Sequence, residues 1–142
     1  MNNSAMIFTL ACMLALSTTS SAASSVPTEP TTVCTIRSNP PNFIRKKVLL
    51  HVHYVTDNAY VMFITDEPSG KPKCVLQIQS VSLMNAPSVK TFFKAGDDIC
   101  RHKKQPVVCP LTANLEVEAT IVSGADGLPL VTFEKVIRYK YF

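Results

Sequence analysis

The chain has 142 residues, 46% of them hydrophobic, with a formal net charge of +4. That length bounds it to a single domain with its own core. The positive charge is modest and sits in no recognisable nucleic-acid module, which excludes a nucleic-acid partner and leaves an anionic surface as the natural attractor.

Ala5 to Leu16, "AMIFTLACMLAL", is an apolar run followed by the small residues "STTSSAASS". It is shorter than the roughly 20 apolar residues of a membrane anchor. It reads as a secretory signal peptide over residues 1–23, although no Lys or Arg precedes it; Ser21-Ala22-Ala23 suits cleavage. No other run is long enough to span a bilayer. Cys12 leaves with the signal, so the domain, residues 24–142, keeps Cys34, Cys74, Cys100 and Cys109. Four cysteines in a secreted chain imply two disulfides, with three connectivities open. No Asn-x-Ser/Thr acceptor lies in this part, so N-glycosylation is not expected. The destination is extracellular, with the lysosomal lumen as the other compartment that fits.

Ser24 to Val33 is an extended Pro/Thr/Ser-rich lead, and the two prolines of "RSNPPNFIRKK" exclude a helix after Cys34. "VLLHVHYVT" predicts a strand with Val48, Leu50, Val52 and Tyr54 on one face and His51 and His53 on the other. Asp57-Asn58 marks a turn into a returning strand, "AYVMFI", and "DEPSGKPK" is a loop. "CVLQIQSVSLM" predicts the next strand, with a bulge or twist near Ser80, and "VKTFF" predicts a short one. "NLEVEATIV" alternates cleanly, with Leu115, Val117, Ala119 and Ile121 inward. "SGADG" is a hairpin turn with Gly127 at positive φ. The returning "LPLVTFEKVIRYKYF" places Val131, Phe133, Ile137 and Tyr139 inward. No segment sustains a capped 3.6-residue apolar period. Short strands, Gly/Pro turns and two disulfides indicate an all-β, disulfide-stapled antiparallel β-sandwich.

The motifs point away from catalysis. There is no nucleophile elbow, P-loop, zinc-protease helix or dinucleotide fingerprint. His51 and His53 could supply two metal ligands, but nothing marks a third, so neither metal nor cofactor is expected. Asp97 and Asp98 are adjacent on the chain and read as counter-charges to the basic stretch after them, not as an acid and base. The basic residues form three clusters: Arg45 to Lys47, Arg101 to Lys104, and Arg138 with Lys140. The second sits between Cys100 and Cys109, eight residues apart in between. A disulfide there would close a small loop, worth about 3 kcal/mol by the chain-entropy account, and hold Arg101, Lys103 and Lys104 together as a cationic rim.

"DDICRHKKQPVVCPL" resembles the Cys…Cys-Pro signature of the ML lipid-recognition domain family. "SNPPNFIRKKVLLHVHY" is similar to that family's early Pro-containing turn and strand, and "LEVEATIVSGADGLPLVTFEKVIRY" to its closing hairpin. The resemblance implies an immunoglobulin-like pair of sheets that holds a sterol, fatty acid or phospholipid chain between them. It supports pairing Cys100 with Cys109. The family's partner for the first cysteine is absent from the closing strand here, which leaves Cys74 for Cys34. A segment usual after the Cys-Pro motif is also missing. The resemblance places the lipid cavity among Val52, Tyr54, Met62, Ile64, Leu76, Ile78, Val117, Ile121, Val131 and Phe133. The expected function is a secreted lipid carrier whose partners are a lipid and an anionic membrane surface or a receptor. The alternative is a secreted recognition module, a receptor co-factor or immune-interaction protein, that carries no lipid.

Overall fold

The structure, a computed structural model, describes residues 28–68, 72–104 and 108–142. The expected signal peptide lies outside these residues, as do Cys12 and the first residues of the lead. β1 (Glu29–Thr31) runs into a short helix, α1 (Val33–Ser38). Thr32 caps α1 through its hydroxyl, which accepts from the Thr35 amide at 3.1 Å. The Asp66 carboxylate accepts from the amides of Val33 and Cys34 at 2.7 and 2.9 Å. These are the orphan donors of a helix start. Cys34 is bonded to Cys74, which ties α1 to the chain entering the fourth strand.

β2 (Lys47–Thr56) alternates as the sequence demands, with Val48, Leu50, Val52 and Tyr54 buried and His51 exposed. β3 (Met62–Thr65) pairs antiparallel with the second half of β2, and β4 (Val75–Ile78) pairs antiparallel with β3. β1 lies parallel to the first half of β2, on the edge that β3 leaves free. After a helix, α2 (Pro87–His102), the chain returns as β5 (Leu111–Ser123) and pairs with all of β2, from Thr56↔Leu111 to Lys47↔Thr120. The spatial order β5-β2-β3-β4 is a Greek key. β6 (Pro129–Tyr141) pairs antiparallel with β5 and parallel with β4 through Gln77↔Leu130 and Ile78↔Val131.

The fold is therefore β-rich and stapled by two disulfides, Cys34–Cys74 and Cys100–Cys109. Its sheet closes on itself through β2-β3-β4-β6-β5 and does not split into the two facing sheets of an immunoglobulin-like sandwich. The reason is length: β5 is long enough to follow β2 throughout while its partner β6 reaches round to β4. Closure pairs edges that a sandwich leaves open. The result is a five-stranded Greek-key barrel with one helical excursion, a scaffold that fixes geometry without fixing activity.

Further expectations are corrected, among them the exclusion of a helix after Cys34, where α1 runs on to Ser38 and Pro40–Asn42 forms a 3-10 turn. "VKTFF" belongs to α2, which begins with Pro87 at its first turn and buries Val89, Phe92, Gly96 and Cys100 along one stripe. The basic residues expected in a loop are therefore largely helical: Arg101 and His102 form the last turn and Lys103 caps it. Within β6, Val131 and Phe133 point inward, but register shifts opposite Glu116/Val117 and Glu118/Ala119 insert extra residues. Val136 is buried in place of Ile137, which is 40% exposed. Each bulge moves the inward phase by one residue. β4 also stops at Ile78, and Val81–Leu83 forms a single 3-10 turn instead of more strand.

Candidate functional site

α2 lies across one mouth of the barrel and packs chiefly on β6. Phe92 anchors it. This ring is fully buried, stacks on Tyr141 with centroids 5.2 Å apart, and meets Tyr54 and Tyr139 edge-on at 5.0 and 5.2 Å. The Tyr141 hydroxyl donates to the Phe92 carbonyl at 3.1 Å. Gly96 permits this approach, since a β-carbon there would sit 2.9 Å from the Tyr141 hydroxyl.

Because the helix leans toward β6, it leaves a groove of about 610 Å³ on the side of β3 and β4. Tyr54, Met62, Phe63, Ile78, Phe93 and Asp97 are among its walls, with Tyr60 and Val61 from the β2–β3 turn. That volume falls within the roughly 300–1,000 Å³ typical of small-ligand sites. Burial pushes the Tyr54 phenol up to about 12; a Thr56 hydrogen bond opposes the shift and the Asp97 charge adds to it. Tyr141 is raised further, first by burial and then by Tyr54, Tyr139 and Asp97. Both phenols are neutral walls at physiological pH.

The turn at the groove's lip is built by one carboxylate. Asp57 Oδ1 accepts from the amides of Ala59, Tyr60 and Val61 at 2.9, 2.7 and 2.8 Å. The Thr56 hydroxyl donates to the Val61 carbonyl at 2.8 Å, and the Cys109 amide donates to the Asp57 carbonyl at 2.7 Å. Asn58 takes the left-handed conformation, φ 60°, which asparagine tolerates. The result presents Tyr60, 83% exposed, on a fixed frame.

The amides of Val61, Ala59 and Tyr60 hold the Asp57 carboxyl below its ordinary value. A depressed folded-state pKa gives a contribution that is complete above the unfolded value, about pH 4, and is lost as pH falls through the lower folded one. Amide hydrogen exchange at Ala59, Tyr60 and Val61 should thus stay protected down to about pH 4 and lose protection below it. Asp57→Ala should lose that protection at neutral pH. Pre-acidification protection identical in both proteins would show that the carboxylate does not order the turn.

The expected lining residues divide. Tyr54, Met62 and Ile78 reach the groove. Val52, Ile64, Leu76, Val117, Ile121, Val131 and Phe133 sit in the barrel core, packed on one another. The expected rim does not border the groove: Arg101 pairs with Asp98 at 3.2 Å, and Lys103 and Lys104 follow at the helix end. Asp98 also takes Lys94 at 2.8 Å, and that bond chiefly holds its carboxyl below the ordinary value. Asp97, its neighbour in sequence, turns instead to the groove. On the outer barrel face, a second and shallower concavity of about 500 Å³ joins His51, His53, Glu116 and Arg138. Two of its charges pair: Arg138 Nε donates to Glu116 at 2.6 Å, and His51 lies 3.9 Å from the same carboxylate, while Lys140, also in the lining, sits over the Phe142 ring. Among the described residues, no three His, Cys, Asp or Glu side chains converge as metal ligands. No helix among them is long and apolar enough to cross a membrane.

Sequence reasoning missed Tyr60, Phe93 and Asp97. An exposed tyrosine after an Asp-Asn turn was the available signal for the first. The other two needed α2 to be recognised as a helix. Comparison with known protein families, curated proteins and solved structures finds no match to this chain.

Proposed function

We propose that this is a secreted recognition protein that takes a small ligand in the groove between α2 and the β3–β4 face. One observation carries the reading: the barrel interior is filled by its own side chains, with Leu50, Ile64, Leu76, Val117, Ile121 and Val131 fully enclosed, while the deep concavity lies outside it. The two disulfides suit an oxidising compartment. The groove's lining among the described residues contains no Lys or Arg, which suits a nucleic-acid phosphate poorly. Nothing in the reading calls for catalysis.

A second reading keeps a lipid as the ligand. Met62, Val75, Ile78 and Val81 line the groove, and burying an acyl chain there would gain about 0.8 kcal/mol per CH₂. The chain would then lie under α2 and not between two sheets. In that case the cations at the end of α2 would serve as the contact with an anionic membrane.

A fragment screen by amide NMR on the secreted, disulfide-intact protein tests the groove. Hits should shift Tyr60, Phe93 and Ile78 and spare the β5 core. Tyr60→Ala should weaken them about tenfold, the order expected for truncating an exposed aromatic anchor. A fluorescent fatty acid that shifts the same amides supports the lipid reading. Hits confined to the His51/His53 face would reject the groove.

A further inference from the structure

Among the described residues, the groove contains an exposed carboxylate with no counter-charge in contact. Its described lining holds five aromatic residues, Tyr54, Tyr60, Phe63, Phe93 and Tyr141, several aliphatic ones, and the neutral amides of Asn58 and Gln77. Asp97 is its single charged residue. Asp98 shows what a satisfied neighbour looks like, with Lys94 at 2.8 Å and Arg101 at 3.2 Å. Among the described residues, Asp97 has no cation within ion-pair distance and no hydrogen-bond donor to its carboxylate. So a chain of net charge +4 presents a groove whose described lining is solely negative and walled by aromatic rings.

Resting on the groove reading, we propose that the ligand is a small alkylammonium compound with an apolar body, its cation set between the Asp97 carboxylate and the aromatic walls. The chemistry selects against the other classes. A neutral apolar ligand would cover Asp97 and strip water from an unpaired carboxylate, which is costly. An anion would meet like charge. A cation on a short apolar stem neutralises Asp97, and its charge is attracted to the negative faces of the rings, the arrangement by which aromatic cages hold quaternary ammonium groups. The groove's volume of about 610 Å³ suits a small molecule. Phe93 also has a fixed place in the wall: it stacks on Phe133 with centroids 6.1 Å apart and meets Tyr54 edge-on at 6.2 Å.

The test compares benzyltrimethylammonium with its neutral carbon isostere, neopentylbenzene, by amide NMR titration of the disulfide-intact chain at low salt. The cation should shift Tyr60, Phe93 and Asp97 and bind at least about tenfold more tightly than the isostere. Added salt should narrow that gap. Asp97→Asn should bring the cation's affinity down to that of the isostere, whereas Asp98→Asn, whose carboxylate is already engaged outside the groove, should retain the preference. Equal affinity of both probes, with groove amides still shifting, would overturn the cation proposal and leave the recognition groove standing. If neither probe shifts the groove amides, both readings fall.

Discussion

Phe92→Ala should destabilise the protein by about 3–5 kcal/mol, the range for removing a buried aromatic side chain. Phe92 is fully enclosed and touches four rings from two strands: Tyr54 of β2, and Phe133, Tyr139 and Tyr141 of β6. Aromatic pairs contribute beyond their buried area, and Tyr141 also donates to the Phe92 carbonyl. The substitution removes the ring that presses α2 onto the barrel mouth. Guanidinium unfolding should show a lower midpoint with an unchanged slope. Phe92→Leu, which keeps much of the volume, should cost roughly half as much or less. A loss below about 1 kcal/mol for the alanine variant would mean that α2 rests on something other than this cluster.

The second large effect belongs to the disulfides, and it should differ between them. Cys34–Cys74 spans 40 residues of sequence and Cys100–Cys109 spans 9. By the chain-entropy account the longer loop constrains the unfolded chain more, giving about 4 kcal/mol against about 3. Replacing each pair with alanines and measuring denaturant midpoints should rank them in that order. Removing both takes away about 7 kcal/mol, most of the roughly 5–15 kcal/mol that holds an ordinary domain together. A doubly substituted chain should therefore be largely unfolded at 37 °C. Its remaining folded at that temperature would contradict the dependence of the fold on these two bridges.

The sequence carried the strands where alternation was clean. β2 and β5 show it best, since Val48 to Tyr54 and Leu111 to Ile121 bury every second residue. The turn at Gly127, φ 78°, was equally plain. Alternation could not choose between a sandwich and a barrel, because both bury one face of every strand. That choice rests on β5 meeting β2 and β6 meeting β4, pairings between segments far apart in the chain. α2 was obscured by its own composition. Its buried stripe includes Gly96 and Cys100, which are weak apolar signals, and Phe92-Phe93 is as apt for a strand. The bulges in β6 then misplaced Ile137. Of the candidate site, Tyr54, Met62 and Ile78 were in view, but as walls of an interior cavity. Asp97 could not be told from Asp98 until the helix gave them different directions.

Ring closure also governs how the chain comes to be folded. The β5–β6 hairpin joins neighbouring segments through one short turn, and such hairpins form in roughly 1–10 μs. The β2–β5 seam must wait until the β3–β4–α2 excursion has been drawn in, and pairing across so long an intervening chain is slow. Until it forms, β2 and β5 each present an unpaired apolar-faced edge, a template for joining another copy. The same closure that leaves the finished barrel with little open edge thus concentrates the risk of misassembly in the interval before β5 docks.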